Sequence, residues 1–200
     1  MTPPQVRPPL TRAEVVPSVV RNLIPLAGLW LSRGSFENFL LLCVFNEAFA
    51  IAGLAVVGIA VSTRETRLTS GPADNIAAWA LLVLVGIVTT LGLTAMFGWA
   101  VALMASAQPL GLWNAELGWS LLAIIAASTF GMHRQYQRDV ASKLDEPVRR
   151  RRDQPAIGGH LLSALGVMLL GGYSSGGLAG VIVVALALTA LFVFRDLRPD

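Results

Sequence analysis

Residues Phe36–Val61 read FENFLLLCVFNEAFAIAGLAVVGIAV, and this stretch decides the fold. It exceeds the roughly 20 apolar residues a helix needs to cross a bilayer, and its interior is broken only by Asn46-Glu47. Similar runs recur on both sides of it: Val15–Leu31, Ile76–Ala107, Leu112–Met132, Ile157–Tyr173 and Leu178–Phe194. The whole chain has 200 residues, of which 54% are apolar and 14% charged, with a mean hydropathy of +0.65. A soluble domain carries about a quarter charged residues. The composition therefore excludes a soluble enzyme, a disordered chain and a nucleic-acid reader. Cys43 is the single cysteine, so an intrachain disulfide is excluded and an inert buried thiol is expected. The expected fold is all-α: a polytopic membrane protein built as a bundle of six transmembrane helices.

Boundary residues support the division into spans. Ser70-Gly-Pro-Ala-Asp74 supplies a proline and an acidic cap before the third run. Gln108-Pro-Leu-Gly111 closes it with a tight turn, and glycines and serines at 171–177 separate the last two. Trp30, Trp79, Trp113 and Trp119 fall near span ends, where indoles favour the headgroup region; Trp99 lies deeper and is expected to pack inside. Orientation follows from the basic residues. With both termini cytoplasmic, all of the 15 except Arg33 fall on the cytoplasmic side, where positive charge is retained. The domain plan is then a proline-rich cytoplasmic tail at 1–14 and spans one to four over 15–132. A basic cytoplasmic loop follows at 133–156, a two-span hairpin at 157–194 and a short tail at 195–200. The predicted location is a bacterial inner membrane. Arg149, Arg150, Arg151 and Arg152 in the basic loop either anchor the topology or touch anionic lipid headgroups, at roughly 1 kcal/mol per charge.

Glu47 needs an explanation. It lies eleven residues after Phe36, or about 16 Å by helix rise, near the bilayer midplane. A carboxylate there costs about 3 kcal/mol on insertion scales, so it faces the bundle interior and finds a partner. It is either a proton- or cation-binding group or a structural acid bonded to a neighbouring helix, with Asn46 beside it. Asn22, one turn before Pro25, either repairs the helix break that proline causes or joins such a site. His160 opens the fifth span and Asp196 follows the sixth, so these two form a candidate pair at the cytoplasmic level. Helix rise puts His160 roughly 15 Å from Glu47 along the membrane normal, and a compact site joining them is not expected. With two histidines in the chain, neither a metal centre nor any other cofactor is expected. Lys143, the only lysine, lies in a loop, which excludes a retinal Schiff base. Phosphate loops, nucleophile elbows and dinucleotide fingerprints do not occur.

In the third span Gly86, Thr90, Thr94, Gly98, Ala102 and Ser106 recur every four residues. Small residues at that spacing let helix backbones approach closely. The stripe is a packing seam against another span or a partner protein, or else a narrow threonine-lined path.

Asn22-Leu-Ile-Pro-Leu-Ala-Gly28 followed by Phe39-Leu-Leu-Leu-Cys-Val-Phe-Asn-Glu47, with His160 early in the fifth span and Arg195-Asp196 closing the sixth, resembles an uncharacterised bacterial family of inner-membrane proteins, domain of unknown function 6498. The resemblance implies a polytopic membrane fold and supplies no activity. Histidines that the family tends to carry in its third and fourth spans are missing here, apart from His133 at the end of the fourth. The function expected is a non-catalytic accessory or structural subunit that associates with another membrane protein or a second copy of itself. The alternative is a small transporter or channel with Glu47 as its proton- or cation-binding group. A membrane-embedded metalloenzyme ranks third.

Overall fold

A helix with no polar face has to be enclosed, and the helix Phe36–Ser62 is enclosed by its neighbours. The computed structural model describes residues 12–31, 36–64, 71–104, 115–142, 146–171 and 177–197. Among the described residues the regular elements are six helices and no strand: α1 (Arg12–Leu31), α2 (Phe36–Ser62), α3 (Pro72–Met104), α4 (Ala115–Ser142), α5 (Glu146–Gly171) and α6 (Gly177–Leu197). Three of them, α2, α3 and α6, are long and apolar enough to cross a membrane, while the apolar part of α1, Val15–Trp30, is shorter.

α2 packs against α1, α3, α4 and α5. In its most apolar window 72% of residues are buried, against 11% for α3 and 22% for α6. α2 is therefore the axis of the bundle, and α3 and α6 face outward. One core cluster joins Phe39, Leu40, Cys43 and Val44 of α2 to Leu29 of α1, Phe97 of α3, Val167 of α5 and Phe192 of α6. A second joins Leu42 and Phe45 to Leu117 and Ile124 of α4. Two glycines make the close approaches possible. A methyl on Gly28 would lie 2.5 Å from Leu42 Cδ1 and 3.3 Å from Ser120 Oγ, and one on Gly53 would collide with Met132.

α1 is helical from Arg12 to Leu31 with Pro17 and Pro25 inside it. The structure departs from the sequence expectation in two places. The segment expected as a loop at 133–156 is largely helical: α4 continues to Ser142, and α5 starts at Glu146 and runs through Pro155. Arginine, glutamine and alanine favour helix there, and Pro147 sits in the first turn of α5, where its missing N–H costs nothing. Beyond Met132 these polar extensions lie beside the end of α2 and the start of α3. Arg149 donates to Ser62 Oγ, and the Trp79 ring stands edge-on to Tyr136 at 6.2 Å between centroids. Trp99, expected inside, is 68% exposed. Its neighbour Gly98 faces Leu41 of α2, and one residue of helix turns the next side chain about 100° away, to the outer surface.

Candidate functional site

Charged side chains on four helices meet inside this bundle. Glu47 of α2 is fully buried, and both of its oxygens are engaged. Arg195 of α6 donates from Nη1 to Oε2 at 2.6 Å and from Nη2 to Oε1 at 3.2 Å, the two-pronged geometry in which guanidinium and carboxylate fit best. His160 of α5 lies on the same carboxylate, with Nδ1 2.7 Å from Oε2. The carboxylate can only accept, so Nδ1 carries the hydrogen.

Arg195 serves a second acid as well. It donates from Nε and Nη2 to Asp196 Oδ1, at 3.0 and 2.7 Å, and from Nη1 to Ser163 Oγ at 2.6 Å. Its Cζ stands 5.5 Å from the centre of the Phe192 ring. The other oxygen of Asp196 accepts from Arg21 and, at 2.8 Å, from Asn22 Nδ2, both on α1. Asn46 Nδ2 donates to Asn22 Oδ1 at 3.0 Å and closes the chain of contacts back to α2. Two carboxylates thus face two guanidiniums, and with neutral imidazole the cluster carries no net charge.

Local sequence explains the convergence. Asn46-Glu47 on α2, Arg21-Asn22 on α1 and Arg195-Asp196 on α6 are adjacent polar pairs set in apolar helix, so each helix brings two polar groups to one level. His160 and Ser163 are three residues apart and share a face of α5. The Arg195 stem runs past Gly159, where a methyl would stand in ordinary contact with its Cδ, at 3.4 Å. The acids and amides of the site are buried, with Asn22, Asn46 and Glu47 at zero exposure and the Asp196 side chain at 7%. Burial of ions is repaid only by pairing and hydrogen bonds of good geometry, and most of the atoms here have both. Two do not: Asn46 Oδ1 and Arg21 Nε are buried without a partner.

Glu47, Asn46 and Asn22 are brought together with His160 and Asp196 into one network, and the expected 15 Å gap between Glu47 and His160 does not exist. The gap assumed that each helix begins where its apolar run begins. α5 instead begins at Glu146, three turns earlier, so His160 sits near its middle, as Glu47 does in α2. α6 stops at Leu197, and its last turn lies level with the middle of α1, α2 and α5. His160 reaches Asp196 through Glu47 and Arg195. Asn22 is committed to Asp196 and Asn46, so its amide has work other than mending the break at Pro25. Sequence reasoning did not single out Arg21 and Ser163 as site residues, and it named Arg195 only within the motif that carries the family resemblance. The signal was available: two acids in apolar surroundings require two bases at the same depth, and Arg21 and Arg195 are the basic residues within or at the edge of apolar runs.

The remaining candidates lie elsewhere. Gly86 faces Val56 and Gly98 faces Leu41, so the seam of α3 lies along α2. Thr90 is buried and donates to the Gly86 carbonyl, and Thr94 Oγ1 is buried without a partner. The Ala102 side chain and Ser106 lie outside the described residues. Arg149 is turned inward to Ser62 and Arg151 is exposed; the side chains of Arg150 and Arg152 lie outside the described set. Among the described residues no group of three or more His, Cys, Asp or Glu is placed to hold a metal ion. The Arg195 guanidinium lies between the two carboxylates of the network.

No family model matches the chain, and no curated protein or solved structure matches it either. The resemblance to domain of unknown function 6498 therefore rests on the quoted residues alone: Asn22–Gly28, Phe39–Glu47, His160 and Arg195-Asp196.

Proposed function

We propose that this chain is a six-span protein of a bacterial inner membrane, with both termini cytoplasmic, acting as a non-catalytic helical subunit. The observation that carries the reading is the self-contained charge network. The buried acids are neutralised by bases of the same chain, as a structural core requires, and the polar groups of four helices are spent on one another. The outer face of α3 is the surface left for association with a membrane-protein partner or a second copy. It presents Leu84, Val88 and Leu91 in line, all more than half exposed, where a stripe at this spacing packs against another helix or lipid. Arg151, which is exposed, faces anionic headgroups.

A small transporter or channel using Glu47 keeps support from one observation, the contact of that acid with a titratable imidazole. The Arg195 fork argues against a metal cation, because it occupies both oxygens and places positive charge where the cation would bind.

The test is cross-linking in native membranes. Single cysteines replace Leu84 or Val88 in a Cys43→Ser background, and single cysteines at Arg33 and Gln154 report sidedness. The subunit reading expects covalent adducts to one defined partner or to a second copy, retained in Glu47→Gln, with Gln154 labelled only from the cytoplasm. Uncross-linked α3 together with proteoliposome flux abolished by Glu47→Gln would replace it with the transporter reading.

A further inference from the structure

We infer that Glu47 and His160 form a proton-binding site, in which one added proton is shared by the pair and frees Arg195 from Glu47. This goes beyond the subunit reading, and the site stands whether the chain serves as a subunit or as a carrier.

Three observations lead there. The Nδ1–H of His160 points along a 2.7 Å bond to Glu47 Oε2, so a proton can pass between them without either side chain moving. The opposite ring nitrogen then keeps its lone pair as the entry point, and the imidazole retains 10% exposure where Glu47 has none. Arg195 spans both carboxylates, bonded to Glu47 and to Asp196 at once, so losing one acid leaves it paired to the other. A purely structural bridge needs neither the imidazole nor a guanidinium with two acids to choose between.

The step balances. A proton from the aqueous side adds to the Nε2 lone pair and forms an N–H bond, while the Nδ1–H bond breaks and its proton forms an O–H bond at Glu47. The ring ends neutral in its other tautomer, Glu47 ends as a neutral acid, and the cluster gains one positive charge. The two-pronged attraction for Arg195 is lost, and the guanidinium remains held by Asp196 and Ser163. α6 meets α2 through Phe192 in the shared core and through this fork, and loading the proton releases the second of these links.

The charged and titratable groups facing the pair come from each packed helix: Arg21 from α1, Cys43 one turn away on α2, and Arg195 and Asp196 from α6. The described ionisable groups of α4, which are His133, Arg134, Tyr136, Arg138 and Asp139, lie beyond Met132 and therefore past Gly53 of α2. α3 has only Asp74, in its first turn.

The chain contains two histidines, and His133 is exposed and bonded to Gln137, so it serves as an internal reference. The experiment is nitrogen-15 NMR of histidine-labelled full-length protein in lipid nanodiscs, from about pH 8 to pH 5, where histidines ordinarily titrate. His133→Gln assigns the two signals. In the wild type the His160 signal responds to pH and the Arg195 guanidinium signals shift with it. In Glu47→Gln the pH-coupled shift of the Arg195 guanidinium signals is lost, and His133 is unchanged. A His160 signal that is constant over this range in the wild type would overturn the proposal, as would an Arg195 shift identical in Glu47→Gln. The wild-type arm decides the matter even where the variant fails to fold.

Discussion

Replacing Arg195 with methionine keeps the bulk of the stem and removes the charge. In the wild type Arg195 donates twice to Glu47, twice to Asp196 and once to Ser163. After the change Asp196 still has Arg21 and Asn22, but fully buried Glu47 keeps only His160. Removing one partner of a buried ion pair costs about 3–5 kcal/mol, because the other is left uncompensated. For a chain of this length each kcal/mol moves the melting midpoint by roughly 2–4 °C, so a fall of about 6–20 °C is expected. The double variant Arg195→Met with Glu47→Met removes both charges and leaves the bonds to Ser163, Asp196 and His160 unmade, about 1 kcal/mol each. It is therefore expected to lose no more than either single variant, with a coupling of at least about 3 kcal/mol. Reversible unfolding in mixed detergent micelles measures all four proteins. A loss below about 1 kcal/mol in Arg195→Met, or a double variant no better than the sum of the singles, would refute the reasoning.

Gly98→Leu is expected to push α3 off Leu41 and cost about 1–3 kcal/mol, lowering the melting midpoint, whereas Gly92→Leu on the same helix is tolerated because a side chain there meets open space. Gly53→Val collides with Met132 and is expected to destabilise similarly, with Met132→Ala recovering part of the loss in the same melt. Phe192→Ala removes a fully buried ring and the aromatic face beneath Arg195, and about 3–5 kcal/mol of stability goes with it; Phe192→Leu loses clearly less in the same unfolding series.

The helices were legible because apolar runs of this length have few other uses, and Phe36–Val61 stood out because nothing along it offers a polar face. Glu47 was legible for the complementary reason, as a charge with no solvent of its own. Where its partners lay was not legible. Relative depth depends on where each helix begins and ends, and hydropathy marks where apolar residues stop, which is a different point. Glu146–Ala156 reads as a charged loop and folds as the first turns of α5, shifting His160 by three turns. Arg195-Asp196 reads as the polar end of a span; it lies in the last turn of α6, and its bonds to Glu47 and Asn22 set that turn level with the middle of α2 and α1. Trp99 was misplaced because a stripe of small residues shows which face of α3 is narrow, and the inference has to be carried one residue further to find what points away.

The pairing of Glu47 with Arg195 across the bundle is the claim on which the rest depends. Magic-angle-spinning NMR on the full chain in lipid bilayers, with labelled arginine nitrogen and labelled glutamate carboxyl carbon, measures it directly. Strong dipolar coupling between the Arg195 guanidinium and the Glu47 carboxylate is predicted from Nη1 and Oε2 standing 2.6 Å apart, and it disappears in Arg195→Met. A Glu47 carboxyl coupled to water protons and to no guanidinium nitrogen would contradict the account.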